Sequence, residues 1–317
     1  MTIFDSLLQS FVLLATLGSA AILLRARGTI RPEEQAVFGR LVTDFALPAL
    51  IFLSISSEPF LAERLLLAAL IFCSIASVGA TAWVIGRLFR LEKPVLGAVI
   101  MVSSFGSSST LGYLLVLQIY GNDPSIMGAV VTMGEIGVHL PMFTLGVAVA
   151  VYFGTPTTTG PGLWAAVRPF FYSPIFLAMV LGVAASRLQV YLDHWVLNLL
   201  NEFLEVAANT LIFLVAFTLG LMLRPVAFGR LASLLAIVAS LKLVLEPLIA
   251  LAAGGLLNIE PLGRELLVLE SGMPASMVAG VIAARYGCDG ATASTVVVAT
   301  HLLCLVTLPI IMVSAFG

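Results

Sequence analysis

Seven ionisable side chains stand inside long apolar segments of this sequence. They are Asp44, Glu135, His139, Lys242, Glu246, Glu270 and His301. A charge is costly at the depth of a lipid bilayer, so each of these residues is a candidate for function. Glu135 and His139 are four residues apart and therefore share one face of a helix. A carboxylate beside an imidazole can relay protons near neutral pH, and it can equally be a structural pair.

The other ionisable residues have different contexts. Lys242 and Glu246 have the same spacing of four, and a self-neutralising pair that faces a neighbouring helix is the favoured interpretation. Glu270 directly precedes Ser271-Gly272-Met273-Pro274, where it could bind a cation or a proton, or cap a helix. His301 resembles a hydrogen-bonded core histidine. We expect the coupling ion or proton to bind among Asp44, Glu135, His139, Glu270 and His301.

The composition indicates a polytopic helical membrane protein. Of 317 residues, 60% are hydrophobic and 10% are charged, and the mean hydropathy is +1.12. Repeated apolar runs of about 18 residues or more are typical of membrane-spanning helices. No basic cluster indicates nucleic-acid binding. The three cysteines form no disulfide or zinc pattern, and no catalytic motif or cofactor motif is present, so we expect neither an enzyme nor a cofactor.

Hydropathy predicts an all-α protein with ten spans in two five-helix repeats. The spans are Leu7–Leu24, Val37–Ser56, Leu65–Phe89, Val95–Tyr120, Ser125–Phe153, Arg168–Leu188, Leu204–Leu223, Leu231–Leu256, Leu266–Ala284 and Ala291–Phe316. Residues 1–153 form the first repeat and residues 168–317 the second. The Thr-, Pro- and Gly-rich segment 154–167 is the expected linker.

The loop charges predict the orientation. Eleven arginines and lysines fall on one side of the ten spans and three on the other. By the positive-inside rule, both termini lie outside and the linker is cytoplasmic. The location is the plasma membrane, which is the inner membrane in bacteria. Because five is an odd number, the second repeat enters the membrane inverted relative to the first.

An internal repeat points to two interrupted helices. Aligning Tyr120-Gly121-Asn122-Asp123 with Tyr286-Gly287-Cys288-Asp289 places Gly106 on Gly272. An interior Pro or Gly breaks a helix, and lipid tolerates such a break only where protein or a wet cavity surrounds it. Inverted breaks that meet at mid-bilayer predict crossing, broken fourth and ninth helices.

The two breaks predict a site for an anion. The second half-helices begin near Ser109–Gly112 and Ala275–Met277, where unpaired N–H groups carry partial positive charge. Small residues that merely allow close helix packing are the other interpretation. Pro48, which is expected to kink the second span, completes the candidate site. The candidate substrate-binding residues are Pro48, Gly106, Ser107, Ser108, Ser109, Gly112, Gly272, Met273, Pro274 and Ser276.

Almost the whole chain resembles the auxin efflux carrier family, which is part of the larger group that includes bile-acid sodium symporters. The resemblance rests on the segment 45–52 (Phe-Ala-Leu-Pro-Ala-Leu-Ile-Phe), on Gly272-Met273-Pro274, on Arg285-Tyr286-Gly287-Cys288-Asp289, on Thr300 and on Thr307-Leu308-Pro309. It implies ten helices in inverted repeats and a transport domain that moves like an elevator against a scaffold. It also implies organic acids as substrates. The sequence departs from the family at the first break, where Ser107 replaces an Asn and Leu114 replaces a Pro.

The leading hypothesis is a secondary carrier for a small organic anion such as a mono- or dicarboxylate, coupled to protons. A sodium-coupled symporter with Glu270 at the cation site is the first alternative. A membrane-embedded sensor that binds a ligand without moving it is the second. The expected partners are the anion, a proton or sodium ion, the lipid bilayer and, through the apolar faces of spans one, two, six and seven, a second copy of the chain.

Overall fold

The chain folds as an assembly of helices. The computed structural model describes residues 3–31, 34–56, 62–154, 168, 171–188, 195–222 and 232–316. Within these ranges the only extended pairing is one isolated antiparallel bridge, between Gly106 and Ala275. The predicted linker lies outside the described residues, apart from Gly154.

Sixteen α-helices lie within the described ranges. They are α1 (Ile3–Ala26), α2 (Gln35–Leu41), α3 (Leu47–Ser56), α4 (Ala62–Leu88), α5 (Lys93–Ser104), α6 (Tyr113–Tyr120), α7 (Pro124–Thr132), α8 (Val147–Phe153), α9 (Pro174–Leu188), α10 (Trp195–Asn209), α11 (Leu211–Met222), α12 (Ala232–Ser240), α13 (Glu246–Leu256), α14 (Pro261–Ser271), α15 (Met277–Arg285) and α16 (Gly290–Phe316). Five π-helical segments accompany them: Val42–Ala46, Ser108–Gly112, Met133–His139, Met142–Gly146 and Leu241–Leu245.

Six continuous helical stretches in the described residues are long and apolar enough to cross a membrane. They are Val37–Ser56, Glu63–Leu88, Pro124–Phe153, Leu199–Thr218, Ala232–Leu256 and Gly290–Phe316. Each overlaps a predicted span, so the prediction of an all-α protein with several membrane-length helices is confirmed. Glu202 lies in α10 with an exposed side chain. The apolar residues around it continue the helix, and the carboxylate simply stays on the outer face.

Three of the π-helical segments end two residues before a proline. The prolines are Pro48, Pro141 and Pro247. A proline lacks the N–H of the helical ladder and clashes with the carbonyl four residues earlier, and a widened turn relieves both problems. The same segments hold Asp44, the Glu135–His139 pair and Lys242, so the widened turns coincide with ionisable residues.

The two Tyr-Gly-x-Asp motifs have the same local structure. Gly121 and Gly287 have φ angles of 72° and 86°, a region that suits glycine. The carboxylate of Asp123 accepts hydrogen bonds from the first N–H groups of α7, at 2.9 and 3.0 Å. The carboxylate of Asp289 does the same for α16, at 3.0 and 3.2 Å. Both motifs therefore end one helix and cap the next.

The predicted interruptions are present, and the two broken helices run antiparallel. Where α5 begins, the Pro94 carbonyl accepts a hydrogen bond from the Asp289 N–H beyond the end of α15, at 3.0 Å. Where α6 ends, the Tyr120 hydroxyl donates to Glu265 near the start of α14, at 2.6 Å. The pair α5–α6 therefore passes the pair α14–α15 over its full length, and the two breaks meet between these ends.

Candidate functional site

The two breaks are joined by backbone hydrogen bonds. The Ser107 N–H donates to the Pro274 carbonyl at 2.9 Å, and the Ser276 N–H donates to the Phe105 carbonyl at 2.8 Å. Two extended backbones thus satisfy each other where neither can continue a helix, as burial away from water requires. Gly106 lies at the centre, and a Cβ there would contact the Lys242 ammonium at 3.0 Å. The crossing is therefore a compact, buried backbone pair.

The first break is rich in hydroxyl groups. Ser107 hydrogen-bonds the Thr110 hydroxyl, and its carbonyl accepts from the N–H groups of Leu111 and Gly112 at 2.9 and 3.2 Å. Ser108 is fully buried, and its hydroxyl has no hydrogen-bond partner among the described residues. Ser109 faces His139, with its Oγ 3.2 Å from Nε2. Polar side chains thus converge on the start of the second half-helix.

Glu135 and His139 are brought together as their spacing predicts. The His139 Nδ1 lies 3.3 Å from the Glu135 Oε1, and both residues are buried. The Tyr113 hydroxyl donates to the same carboxylate oxygen at 2.8 Å. A continuous chain of polar contacts therefore runs from Tyr113 through Glu135 and His139 to Ser109. It connects the π-helical segment Met133–His139 to the first break.

Glu270 is a buried carboxylate beside the crossing. Its side chain is 2% exposed, and neither of its oxygens has a hydrogen-bond partner among the described residues. A Cβ at Gly112 would contact its Oε1 at 2.5 Å, so the glycine makes room for the carboxylate. The Ser108 hydroxyl faces it without reaching hydrogen-bond geometry. A buried carboxylate without such partners is costly in its charged form, which is the property expected of a cation or proton site.

Lys242 is the residue whose position could not be inferred from sequence. It forms the expected pair with Glu246, with 2.6 Å between Nζ and Oε2, and both side chains are 1% exposed. Its ammonium nevertheless lies against Gly106 at the centre of the crossing. The spacing of four predicted the ion pair but gave no indication of this neighbour. The structure therefore adds a buried cation to the candidate site.

At the second break, side-chain hydroxyls accept hydrogen bonds from the free backbone N–H groups. The Ala275 N–H donates to the Thr300 hydroxyl at 3.2 Å, and the Ser276 hydroxyl accepts from the Ala279 N–H at 3.4 Å as the cap of α15. Met273 is fully buried, and a Cβ at Gly272 would contact a methyl group of Leu308 at 2.7 Å. Thr300 belongs to the quoted family motif, although its spacing alone predicts no role.

Three candidate residues lie apart from this cluster. Asp44 is exposed, and it accepts a hydrogen bond from the neighbouring Thr43 hydroxyl at 2.9 Å. Pro48 is half-buried in α3, which packs mainly against α7, α9 and α10. The Nδ1 of His301 bonds the Val297 carbonyl at 2.8 Å, and its Nε2 has no partner within the described ranges. These contacts give none of the three a direct link to the crossing.

The residues at the crossing can bind an anion and exchange a proton. Positive charge comes from the Lys242 ammonium and from the half-helix N-termini. Removable negative charge comes from Glu270 and from the Glu135–His139 pair. All of these groups lie in a buried region, where electrostatic interactions are strong because water does not screen them.

Comparisons with known proteins place the chain among membrane transporters. The profile of the family described as membrane transport protein matches residues 3–154 and 162–312. An uncharacterized transporter of Methanocaldococcus jannaschii is 30% identical over 267 residues, 83% of each chain. A "putative malonate transporter" of Rhizobium meliloti is 27% identical over 87% of this chain and 85% of its own. An uncharacterized transporter of Escherichia coli is 25% identical over 90% of both chains. The interrupted helices, their shared motif and these matches make the chain a member of the membrane transport protein family, the family of the auxin efflux carriers.

Proposed function

We propose that this protein is a secondary transporter of a small organic anion, a carboxylate in particular, and that proton binding drives its movement. The anion binds at the crossing of the two broken helices. The proposal starts from two findings: the chain belongs to a transporter family, and it has several membrane-length helices. Substrate class, coupling and mechanism are inferred from the site.

The observation that carries the proposal is the position of Lys242. Its ammonium lies against Gly106 at the centre of the crossing, and Glu246 is its partner in an ion pair. An anionic substrate that reaches the crossing meets this cation together with the N–H dipoles of the half-helices. A carboxylate can then share the ammonium with Glu246 or replace Glu246 as its partner, so that no charge is left buried without compensation.

The relative from Rhizobium meliloti is consistent with a carboxylate substrate. Its name assigns malonate to that protein, and malonate is a small dicarboxylate. At the first break, Ser107 of this chain provides a hydroxyl where the family has the amide side chain of an Asn. Hydroxyls can donate to carboxylate oxygens, so the substitution keeps the site suitable for an anion.

Coupling to protons follows from Glu270. A charged carboxylate against Gly112 repels an anion at the crossing, whereas a protonated one does not. Anion binding and proton binding therefore favour each other, as linkage requires. The contact chain from Ser109 through His139 to Glu135 offers a second route for the proton at the first break.

The proposed movement is of the elevator type. Helices α1, α3, α9, α10 and α11 pack largely among themselves, α3 on α9 and α10 and α1 on α11. The broken helices pack mainly with α4, α8, α13 and α16, and α6 also contacts α1. We propose that the second group carries the site past the first, with the inverted repeats providing two related end states.

Transport by purified protein in liposomes tests the proposal. We expect uptake of labelled malonate or another small dicarboxylate, faster when the external pH is lower than the internal pH, and no such uptake by empty liposomes. Organic cations and neutral sugars serve as comparison substrates. Uptake of a cation or neutral compound with no uptake of any carboxylate would contradict the anion assignment.

A sodium-coupled symporter is the second candidate function. The observation in its favour is the Glu270 carboxylate, whose oxygens have no hydrogen-bond partner among the described residues and could coordinate a cation. The same assay decides between the two. Uptake that requires a sodium gradient and is unaffected by a proton gradient would replace proton coupling with sodium coupling.

A further inference from the structure

A cavity lined by α4 and α5 lies to one side of the crossing. Its volume is about 470 Å³, and it is bounded by α4, by α5 and by the helix that runs from Pro141 to Phe153. Its walls are apolar, with Phe72, Ile75, Ile100, Leu145 and Val149 among them. We call this cavity the outer groove. Nothing in the candidate site described above uses it.

The two ends of the outer groove differ in chemistry. The inner end is formed by Ser104, Phe105 and Pro141, next to the crossing. At the opposite end, the guanidinium of Arg87 lies 5.8 Å from the ring centre of Trp83, and both residues line the groove. Tyr152 also lines this end, with the Lys93 ammonium 5.6 Å from its ring centre. The groove is thus apolar along its walls and cationic at one end.

The cationic end has no acidic partner in the described part of the chain. Arg87 is exposed, and neither Arg87 nor Lys93 belongs to an ion pair there. Tryptophan and tyrosine with arginine and lysine are the residues typical of a membrane–water interface. Arg87 and Lys93 also fall on the side that the positive-inside rule assigns to the cytoplasm. This end therefore suits an anionic head group at the cytoplasmic surface of the bilayer.

The groove is at least as long as one leaflet of a membrane is thick. Helix α4 lines it from Phe72 to Arg87. Fifteen steps of a helix cover about 22 Å. Half of a hydrocarbon core is about 15 Å thick. A groove of this length, open to the exterior at the exposed Trp83 and Tyr152, is the size of one extended acyl chain rather than of a small dicarboxylate.

We propose that the outer groove binds an anionic phospholipid. One acyl chain lies along the apolar walls, and the phosphate and head group lie between Arg87 and Lys93. The proposal does not depend on the identity of the transported substrate. It also links lipid to the crossing, because Phe105 lines the groove while its carbonyl accepts the hydrogen bond from Ser276.

Lipid binding to the purified protein in detergent tests the proposal. Phosphatidylglycerol and phosphatidylcholine with identical acyl chains are compared by native mass spectrometry and by thermal unfolding. We expect phosphatidylglycerol to bind more tightly and to raise the melting temperature more, since a ligand of the folded state stabilises it. Removing one interfacial cation with Arg87→Gln should weaken phosphatidylglycerol binding by about fivefold and leave phosphatidylcholine binding unchanged.

Matched variants separate this groove from the general lipid-facing surface. Ala76→Phe places a ring in the groove and should abolish the preference for phosphatidylglycerol, whereas Val84→Phe, also on an exposed part of α4 but outside the groove, should not. Arg90→Gln is the charge control, since Arg90 does not line the groove. Melting without added lipid shows whether each variant is folded, and Ala76→Leu replaces Ala76→Phe if the larger ring unfolds the protein.

Three results would overturn the proposal. Equal binding of the two phospholipids would show that the protein does not recognise an anionic head group. Unchanged selectivity in Ala76→Phe or Ala76→Leu would show that the lipid does not bind in the groove. Loss of malonate-induced stabilisation in a folded Ala76 variant, with lipid selectivity retained, would show that the cavity takes the transported anion instead of lipid.

Discussion

The two interruptions occupy aligned positions of the repeat, yet different groups complete them. At the first break, Ser107, Ser108 and Ser109 present hydroxyls, and the charged ends of Lys242 and Glu270 lie against Gly106 and Gly112. At the second break, the neutral Thr300 hydroxyl satisfies the Ala275 N–H, and the Ser276 hydroxyl caps the following helix.

This difference indicates a division of roles between the two breaks. At the second break, Pro274 restricts the backbone and few side chains are polar, which suits a structural partner in the crossing. The first break combines buried hydroxyls with both signs of charge, which suits recognition and coupling. Backbone hydrogen bonds thus hold the two breaks together, and the surrounding side chains make only one of them strongly electrostatic.

The largest effect is expected at Lys242. Replacing it by glutamine removes the cation at the crossing while leaving a side chain of similar length. Truncating one partner of a buried charge pair costs about 3 kcal/mol, which corresponds to a decrease of about 100-fold or more in the initial rate of carboxylate uptake. Uptake into liposomes with matched amounts of protein measures it.

A double variant separates recognition from folding. Lys242→Gln alone leaves the Glu246 charge buried without its partner, which destabilises a protein by about 3–5 kcal/mol. Lys242→Gln with Glu246→Gln removes both charges and should recover most of the melting temperature, while uptake stays low. Recovery of uptake together with stability would mean that the pair is only structural.

The second experiment concerns coupling at Glu270. Glu270→Gln keeps the shape of the side chain and removes its titration. We expect uptake by the native protein to vary severalfold between about pH 5 and 8, and uptake by the variant to lose most of this dependence. Glu265→Gln is the control, because Glu265 bonds Tyr120 at the far end of the broken helices. A full pH response in Glu270→Gln would assign coupling to His139 and Glu135.

The third experiment uses the glycines of the first break. Gly112→Ala forces a Cβ to within 2.5 Å of the Glu270 carboxylate, and such overpacking costs about 1–3 kcal/mol. Gly106→Ala should cost less, because the nearest atom there, the Lys242 Nζ, is farther away at 3.0 Å. Thermal unfolding measures both variants. Gly255→Ala, with open space around it, should leave stability unchanged or slightly raised.

Equal melting temperatures for the Gly112→Ala and Gly106→Ala variants would contradict the tight contact between Glu270 and the first break. A larger loss at Gly106 would move the closest packing to the Lys242 side of the crossing. Either result would contradict the contact of Glu270 with Gly112 as the tighter one and that of Lys242 with Gly106 as the looser one.

The smallest effect is expected at the second break. Thr300→Val keeps the volume of the side chain and removes its hydrogen bond to the Ala275 N–H, at a cost of about 1 kcal/mol. We expect a slightly lower melting temperature and nearly unchanged uptake. Loss of uptake in a stable Thr300→Val protein would show that the second break also recognises the substrate by polar contacts.

Much of this arrangement follows from local sequence. Gly-Met-Pro and the serine run predict the two interruptions because helix breaking depends on the residues themselves. The caps formed by Asp123 and Asp289 are likewise local, because a capping carboxylate bonds N–H groups two or three residues away. The spacing of Glu135 and His139 predicts their contact because residues four apart share a helix face. The apolar runs predict membrane-length helices from length and composition alone.

The tertiary structure decided which of these residues meet. Asp44 and Glu270 are both carboxylates in apolar segments, yet the first is exposed and the second is buried beside the crossing. Lys242 and Glu246 pair as their spacing requires, but the contact with Gly106 depends on how separate helices pack. Periodicity places a side chain on a face of its own helix. Only the packing of the helices determines which neighbour that face meets, and thereby whether its charge is a local pair or part of a binding site.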